Sequence, residues 1–167
     1  RDSAKEAAKL VQQLNLIRAN SAKLVQADLA NMVDQQFITS FIQQVVDCYG
    51  HVDTLVNNAS SFYPTTIGSV SLEQWRDLMV SNVGGGFFLA QGLVPYLKSS
   101  KGSIVNISDV HAERPLKNYS VYCIAKAACN MMTKALAKEL APEIRVNGVA
   151  PGPCLWPENE NILEPQM

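Results

Sequence analysis

Tyr122 and Lys126 stand four residues apart in a stretch, 119–140, that is rich in alanine, lysine, leucine and methionine. These are strong helix formers, and helical spacing places the two side chains on one face, a turn apart. A tyrosine ordinarily titrates near pH ~10, too high for easy proton exchange at neutral pH. An ammonium beside it favours the phenolate and lowers that value, which makes the pair a usable general acid. Alone the spacing is weak evidence: Tyr-x-x-x-Lys arises often by chance, and an ordinary surface pair is the plain alternative. The surroundings narrow the choice. Asp109 precedes Tyr122 by thirteen residues, just past the apolar run 103–107. Asn57-Asn58-Ala59 follows the apolar run 52–56, Asn82 lies between the two runs, and Pro151-Gly152 follows a third run, 144–149.

Elements that could converge these residues can be read from periodicity. Residues 4–14 carry Ala7, Leu10, Val11 and Leu14 on one helical face. Residues 22–27 read as a short strand leading to Asp28. Residues 34–49 read as a helix with Phe37, Phe41, Val45 and Cys48 at helical spacing, stopped by Gly50. The run 52–56 lacks polar alternation, which suits a strand buried on both faces. Ser71 and Gln74 have capping-box spacing and predict a helix from Leu72 to about residue 97, with Pro95 bending or ending it. Gly84, Gly85 and Gly86 lie inside that helix, and each costs about 1 kcal/mol against alanine, so close packing must offset them. Strand 103–107, helix 119–140 stopped by Pro142, and strand 144–149 complete the order. Strands alternating with helices predict a parallel sheet with helices on both faces, whose ligands bind beyond the carboxyl ends of the strands.

Composition sets further bounds. A length of 167 residues suits one domain, and the net charge of −1 argues against a nucleic-acid footprint. No run approaches the ~18 apolar residues of a membrane span. The chain starts at Arg1 with nothing resembling a signal peptide. Cys48, Cys123, Cys129 and Cys154 lack CxxC spacing and nearby histidines. They read as small buried thiols of a reducing, cytoplasmic protein, with no metal site expected.

In order and spacing, Asp28, Asn57-Asn58-Ala59-Ser60, Asn82-Val83, Ser103-Ile104-Val105-Asn106-Ile107-Ser108, Tyr122-x-x-x-Lys126 and Arg145-Val146-Asn147-x-Val149-x-Pro151-Gly152 resemble the short-chain dehydrogenase/reductase family across nearly the whole chain. No piece is specific by itself; jointly they are. The resemblance implies a Rossmann-type doubly wound parallel sheet and a nicotinamide nucleotide cofactor. It implies Tyr122 as proton donor or acceptor, and Lys126 binding the nicotinamide ribose while depressing the tyrosine pKa. Asn82 would hold a water that links Lys126 to solvent. Asp28 and the Leu29 amide would cap the adenine, Asn58 and Ala59 line the cofactor cleft, and Pro151 and Gly152 pass the nicotinamide amide. Arg1 resembles an arginine that contacts the 2′-phosphate of NADPH, a contact a guanidinium suits. The resemblance also implies a homotetramer assembled through helices 72–97 and 119–140. The family's Gly-rich phosphate turn has no counterpart here. Residues 1–167 therefore read as one partial dinucleotide-binding domain without the N-terminal strands and the C-terminal strand, with poor cofactor affinity and marginal stability expected of this stretch alone.

One position departs from the family. Thirteen residues before the tyrosine, where a serine is usual, stands Asp109; Ser108 is adjacent but one residue out of register, and in a strand that step turns the side chain over. An ionised carboxylate only accepts hydrogen bonds, so the chemistry is either lost or requires a carboxyl group. Pteridine reductases are similar in this replacement, in Asn57-Asn58-Ala59-Ser60-Ser61-Phe62-Tyr63-Pro64, and in Asp109-Val110-His111-Ala112-Glu113-Arg114-Pro115-Leu116. That resemblance implies NADPH-dependent reduction of a pterin stacked on Phe62, with Ser60 touching cofactor or pterin, Ser108 near the cofactor, and Asp109 beside the ring. Asp109 could donate a proton only if partial burial raised its pKa. Alternatives stay open: another short-chain reductase acting on a different carbonyl or imine, or a non-catalytic relative. Phe62 and Tyr63 could be loop anchors, and His111 a partner of Asp109 or a solvated loop residue. Trp156 could contact substrate or only pack. Glu113 and Arg114 read as a solvated pair, and Lys134, Lys138 and Glu139 as the wet face of their helix.

Overall fold

The structure, a computed structural model, describes residues 4–152. Three parallel strands, β1 (Thr54–Asn57), β2 (Ser103–Ile107) and β3 (Arg145–Val149), pair in the order β1-β2-β3. Five helices accompany them: α1 (Ala4–Ile17), α2 (Gln35–Tyr49), α3 (Leu72–Met79), α4 (Gly85–Ser100) and α5 (Ser120–Leu140).

Local chemistry accounts for most of the boundaries. The Asp34 carboxylate accepts from Phe37 N at 2.7 Å and starts α2, and Gly50 ends it with φ 77°, a left-handed conformation that costs glycine nothing. Ser71 and Gln74 form the expected reciprocal capping box at α3. Pro95 does not end α4, which runs on to Ser100.

The predicted helix 72–97 is divided. Between α3 and α4 the backbone makes one π-helical turn, Val80–Gly84, centred on buried Asn82; such bulges concentrate at functional positions. The glycines that follow permit close approach: a Cβ on Gly86 would stand 3.0 Å from Asn57 Cγ, and Asn57 donates to the Gly86 carbonyl.

Residues 22–27 form no strand. A strand is defined by its pairing, and among the described residues these find no partner; Asp28 instead caps a short 3₁₀ turn, Leu29–Val33.

The core lies on one side of the sheet. Leu55, Ile104 and Val146 are partners in register and pack with Ile38 and Ile42 of α2, Leu93 and Leu97 of α4, and Met132 and Leu136 of α5. The alternate strand positions point the other way, and there Val56 and Val149 are half exposed. Of the described helices, α2, α4 and α5 thus share a face, and β1 is not buried on both faces as its composition predicted. The helical stretch Leu72–Ser100 is, by length and composition, long and apolar enough to cross a membrane, which the sequence reading did not expect. Here its Leu78, Ala90, Leu93 and Leu97 are buried in the fold.

A polar chain ties the layers together. Asn57 donates to Asn106 Oδ1 at 2.8 Å, and fully buried Asn106 donates to Thr133 Oγ1 at 2.9 Å. Because buried amides are costly unless satisfied, this chain fixes β1, β2 and α5 in one register. Those elements carry the residues discussed next.

Candidate active site

Tyr122 lies in the first turn of α5, almost fully buried, and Lys126 lies one turn on, 3% exposed. Asp109 follows the end of β2, where its Oδ1 accepts from His111 N at 2.8 Å and caps a short turn, Val110–Ala112. Its Oδ2 accepts from the Tyr122 hydroxyl at 2.6 Å, a short charge-assisted contact. Both carboxylate oxygens therefore accept. The side chain that replaces the family's serine points at the tyrosine, as the register argument required. Ser108 points elsewhere: it is buried, and its hydroxyl donates to Lys126 O at 3.4 Å.

The electrostatics run opposite to the sequence expectation. Lys126 Nζ stands 5.7 Å from the Tyr122 ring centre and donates to Ile107 O at 3.1 Å. Burial, then the hydrogen bond and negative charge of Asp109, push the Tyr122 pKa far above the ordinary phenol value; a Ser60 hydrogen bond pulls only slightly the other way. Burial also lowers the Lys126 pKa, while Cys129 and Asp109 oppose it. The phenol is thus held protonated, and the ammonium is the member under electrostatic stress. The ring-to-ammonium spacing was legible in the sequence, but the burial of the phenol and its bond to the carboxylate, which together outweigh the ammonium, were not.

The loop between β1 and α3 forms the opposite wall. Ser60 Oγ donates to Asn82 Oδ1 at 2.6 Å, while Asn82 Nδ2 donates to Ser61 O at 3.0 Å and Leu78 O at 2.9 Å. Asn82 therefore joins the loop to the π turn, a role sequence reasoning did not assign. Phe62, 50% exposed, stacks on Tyr119 at 4.6 Å and meets Tyr122 edge-on at 4.8 Å. Tyr63 is an anchor, as one expectation had it: its hydroxyl donates to Asp77 Oδ2 at 2.8 Å. The His111 ring meets Arg114 O rather than the Asp109 carboxylate. Glu113, Arg114, Lys134, Lys138 and Glu139 are exposed as expected.

A groove of about 1060 Å³ runs past the carboxyl end of β1, lined by Asp28, Leu29, Ala59, Ser60, Arg76 and Ser81 among others. Exposed Asn58 adjoins it in the chain. Tyr122, Lys126 and Asp109 lie outside this lining, and Ser60, which lines the groove, also bonds the Tyr122 hydroxyl. Ser108 N donates to Val149 O at 2.7 Å, which brings the segment leading to half-buried Pro151 and exposed Gly152 alongside the end of β2. Arg1, Cys154 and Trp156 lie outside the described residues. Of the described cysteines, Cys123 and Cys129 are buried and free, and Cys48 is partly buried and free. No group of three or more potential metal ligands occurs among the described residues.

Residues 1–166 match the family model for short chain dehydrogenases. The chain is 38% identical to pteridine reductase 1 of Leishmania tarentolae over 94% of its own length and 67% of that protein's. It is 34% identical to an uncharacterized oxidoreductase of Staphylococcus epidermidis, covering 90% of this chain and 64% of that one. A 3-oxoacyl-acyl-carrier-protein reductase of Thermotoga maritima is 38% identical, over 80% of this chain and 55% of its own. The chain thus spans between about half and two thirds of the length of these relatives.

Proposed function

The chain belongs to the short chain dehydrogenase family, and we propose that it is the catalytic part of an NADPH-dependent pteridine reductase. The observation that carries this reading is the 2.6 Å bond from the Tyr122 hydroxyl to Asp109, set beside a half-exposed Phe62 ring. A reductase must deliver a proton, and a phenol kept protonated by burial and a neighbouring carboxylate is charged with one at every physiological pH.

The residues present suit the cofactor. The groove at the end of β1 is large enough for part of a dinucleotide, and it lies where open parallel sheets bind such ligands. Asp28 and Leu29 would hold the adenine end, Asn58, Ala59 and Ser60 the middle, and Lys126, Ser108, Pro151 and Gly152 the nicotinamide end; Arg1 is proposed for the 2′-phosphate. When bound, the cofactor supplies a hydride. Phe62 would stack on a flat heteroaromatic substrate, a contact worth about 0.5–1.5 kcal/mol beyond area burial. Tyr122 would give its proton to the ring nitrogen next to the reduced carbon, and Lys126 would stabilise the phenolate left behind. Asp109 would bind the substrate's ring edge and orient the Tyr122 hydroxyl through the bond it accepts, while the proton lost from Tyr122 would be replaced from solvent. Asn82 would hold the loop that carries Ser60 and Phe62. We assign the protein to the cytoplasm. A homotetramer through 72–97 and 119–140 is supported by exposed Leu72, Trp75, Phe87, Ile124 and Met131 on those helices.

The second reading, a reductase of another carbonyl or imine, draws on the likeness to the 3-oxoacyl-acyl-carrier-protein reductase. NADPH oxidation measured with dihydrobiopterin, dihydrofolate and simple ketones separates the two. Pterin turnover that falls at least ~100-fold in Asp109→Ala, about 3 kcal/mol of barrier, is the expected result. Turnover of ketones alone, or an Asp109→Ala protein with undiminished pterin reduction, refutes the pterin reading.

A further inference from the structure

Outside the site, buried Thr65 uses its backbone N–H, its carbonyl and its hydroxyl in hydrogen bonds. It is 1% exposed and lies where the loop bearing Ser60 and Phe62 passes the start of α5. Its backbone N–H donates to Asn118 O at 2.5 Å, and its carbonyl accepts from Ser120 Oγ at 3.2 Å. Its hydroxyl oxygen accepts from Val121 N at 3.2 Å. It also forms an isolated parallel bridge with Tyr119.

The helix needs such a partner. The first backbone N–H groups of a helix have no intrahelical acceptor, and the residue preceding α5, Tyr119, makes no side-chain cap. A capping oxygen serves the second or third helical N–H; Val121 is the second residue of α5, and Tyr122 the third. Thr65 thus does the work of a helix cap from 56 residues away. The same residue sits three positions after Phe62, so one side chain joins the aromatic wall to the turn that presents the phenol.

We propose that Thr65 is a positioning residue for Tyr122: its hydroxyl, as a tertiary cap, sets where the first turn of α5 lies relative to Asp109 and Phe62. The proposal rests on Tyr122 being the proton donor and does not depend on which substrate is reduced. Small displacements of a reacting group cost rate steeply.

The test compares Thr65→Val, which keeps the shape and removes the hydroxyl, with Thr65→Ser, which keeps the hydroxyl, in the intact protein. Thr65→Val is expected to lower kcat about 10-fold with the KM for NADPH unchanged. It is also expected to move the alkaline limb of the kcat profile to lower pH, because the phenol loses its bond to Asp109. Thr65→Ser is expected to restore both the rate and the profile. Wild-type kcat and pH profile in Thr65→Val overturn the proposal. So does a parallel loss of rate and melting temperature in both variants with the profile unmoved. Should Thr65→Val not fold, Thr65→Ala, which also removes the hydroxyl that accepts from Val121 N, carries the test: a reduced kcat with a shifted profile supports the proposal, and an unchanged kcat overturns it. Tyr122→Phe is the control. If it retains the rate, the reading of Tyr122 has failed, whereas its loss together with an unaffected Thr65→Val defeats the Thr65 proposal alone.

Discussion

Replacing Lys126 by methionine should make the protein more stable and much less active. Lys126 is 3% exposed, and the hydrogen bond seen at its ammonium goes to Ile107 O at 3.1 Å. Burial lowers its pKa, so the folded state disfavours the charge that the unfolded chain carries freely at neutral pH. Exchanging buried charged groups for apolar ones of similar size has gained about 1–4 kcal/mol elsewhere. Against that, methionine strands the Ile107 carbonyl, at about 1 kcal/mol or more. A net gain of about 1 kcal/mol raises the melting temperature of a domain this size by roughly 2–4 °C. Turnover should fall by ~100-fold or more, as when a group that tunes a general acid is removed.

The pH dependence supplies a second reading of the same effect. Between the lowered folded value and the ordinary lysine value of about 10.5, the unfolded state binds more protons, so wild-type stability rises with pH there. The advantage of Lys126→Met is therefore largest at neutral pH and shrinks as the pH approaches 10.5. Calorimetry at a series of pH values, with a turnover assay alongside, reads both. A variant less stable than wild type at neutral pH, or an advantage that grows with alkalinity, refutes the account of a burial-stressed ammonium.

Tyr122 acts with the opposite sign: its folded pKa is raised, so its contribution to stability is whole below pH ~10 and is lost above it. Tyr122→Phe should flatten the alkaline fall in melting temperature, and an identical fall in both proteins excludes this. Asn82→Ala removes the joint between the loop and the π turn; with buried partners stranded it should cost about 1–3 kcal/mol in urea melts, and a loss below ~0.5 kcal/mol contradicts that role. Met131→Asp places a charge on a residue 63% exposed in α5. Sedimentation velocity should then show the proposed tetramer dissociating at unchanged helicity by circular dichroism, and an unaltered assembly argues against an interface there.

Much of this site was legible in one dimension. A four-residue spacing on a helix is a local quantity, so Tyr122 and Lys126 share a face wherever that helix goes. The family position put Asp109 in the place of the usual serine, with Ser108 one step out of register and facing the other way, and the 2.6 Å bond from Tyr122 goes to Asp109. Caps at Asp34 and Ser71 and the stop at Gly50 are written within four residues of the atoms they serve. Segment 22–27 failed as a strand because pairing is not a property of the segment that is to be paired.

What only the tertiary structure decided depends on distance and burial. Spacing placed an ammonium near the phenol, but the sign of the tyrosine's shift follows first from its burial and then from the Asp109 carboxylate that reaches its oxygen from just past β2. The π turn at Asn82 and the cap given by Thr65 join residues 21 to 56 positions apart, and nothing within either sequence neighbourhood records its partner. Helical and strand periodicities are carried by adjacent residues, whereas proton affinity is set by whatever the fold packs around a group in place of water.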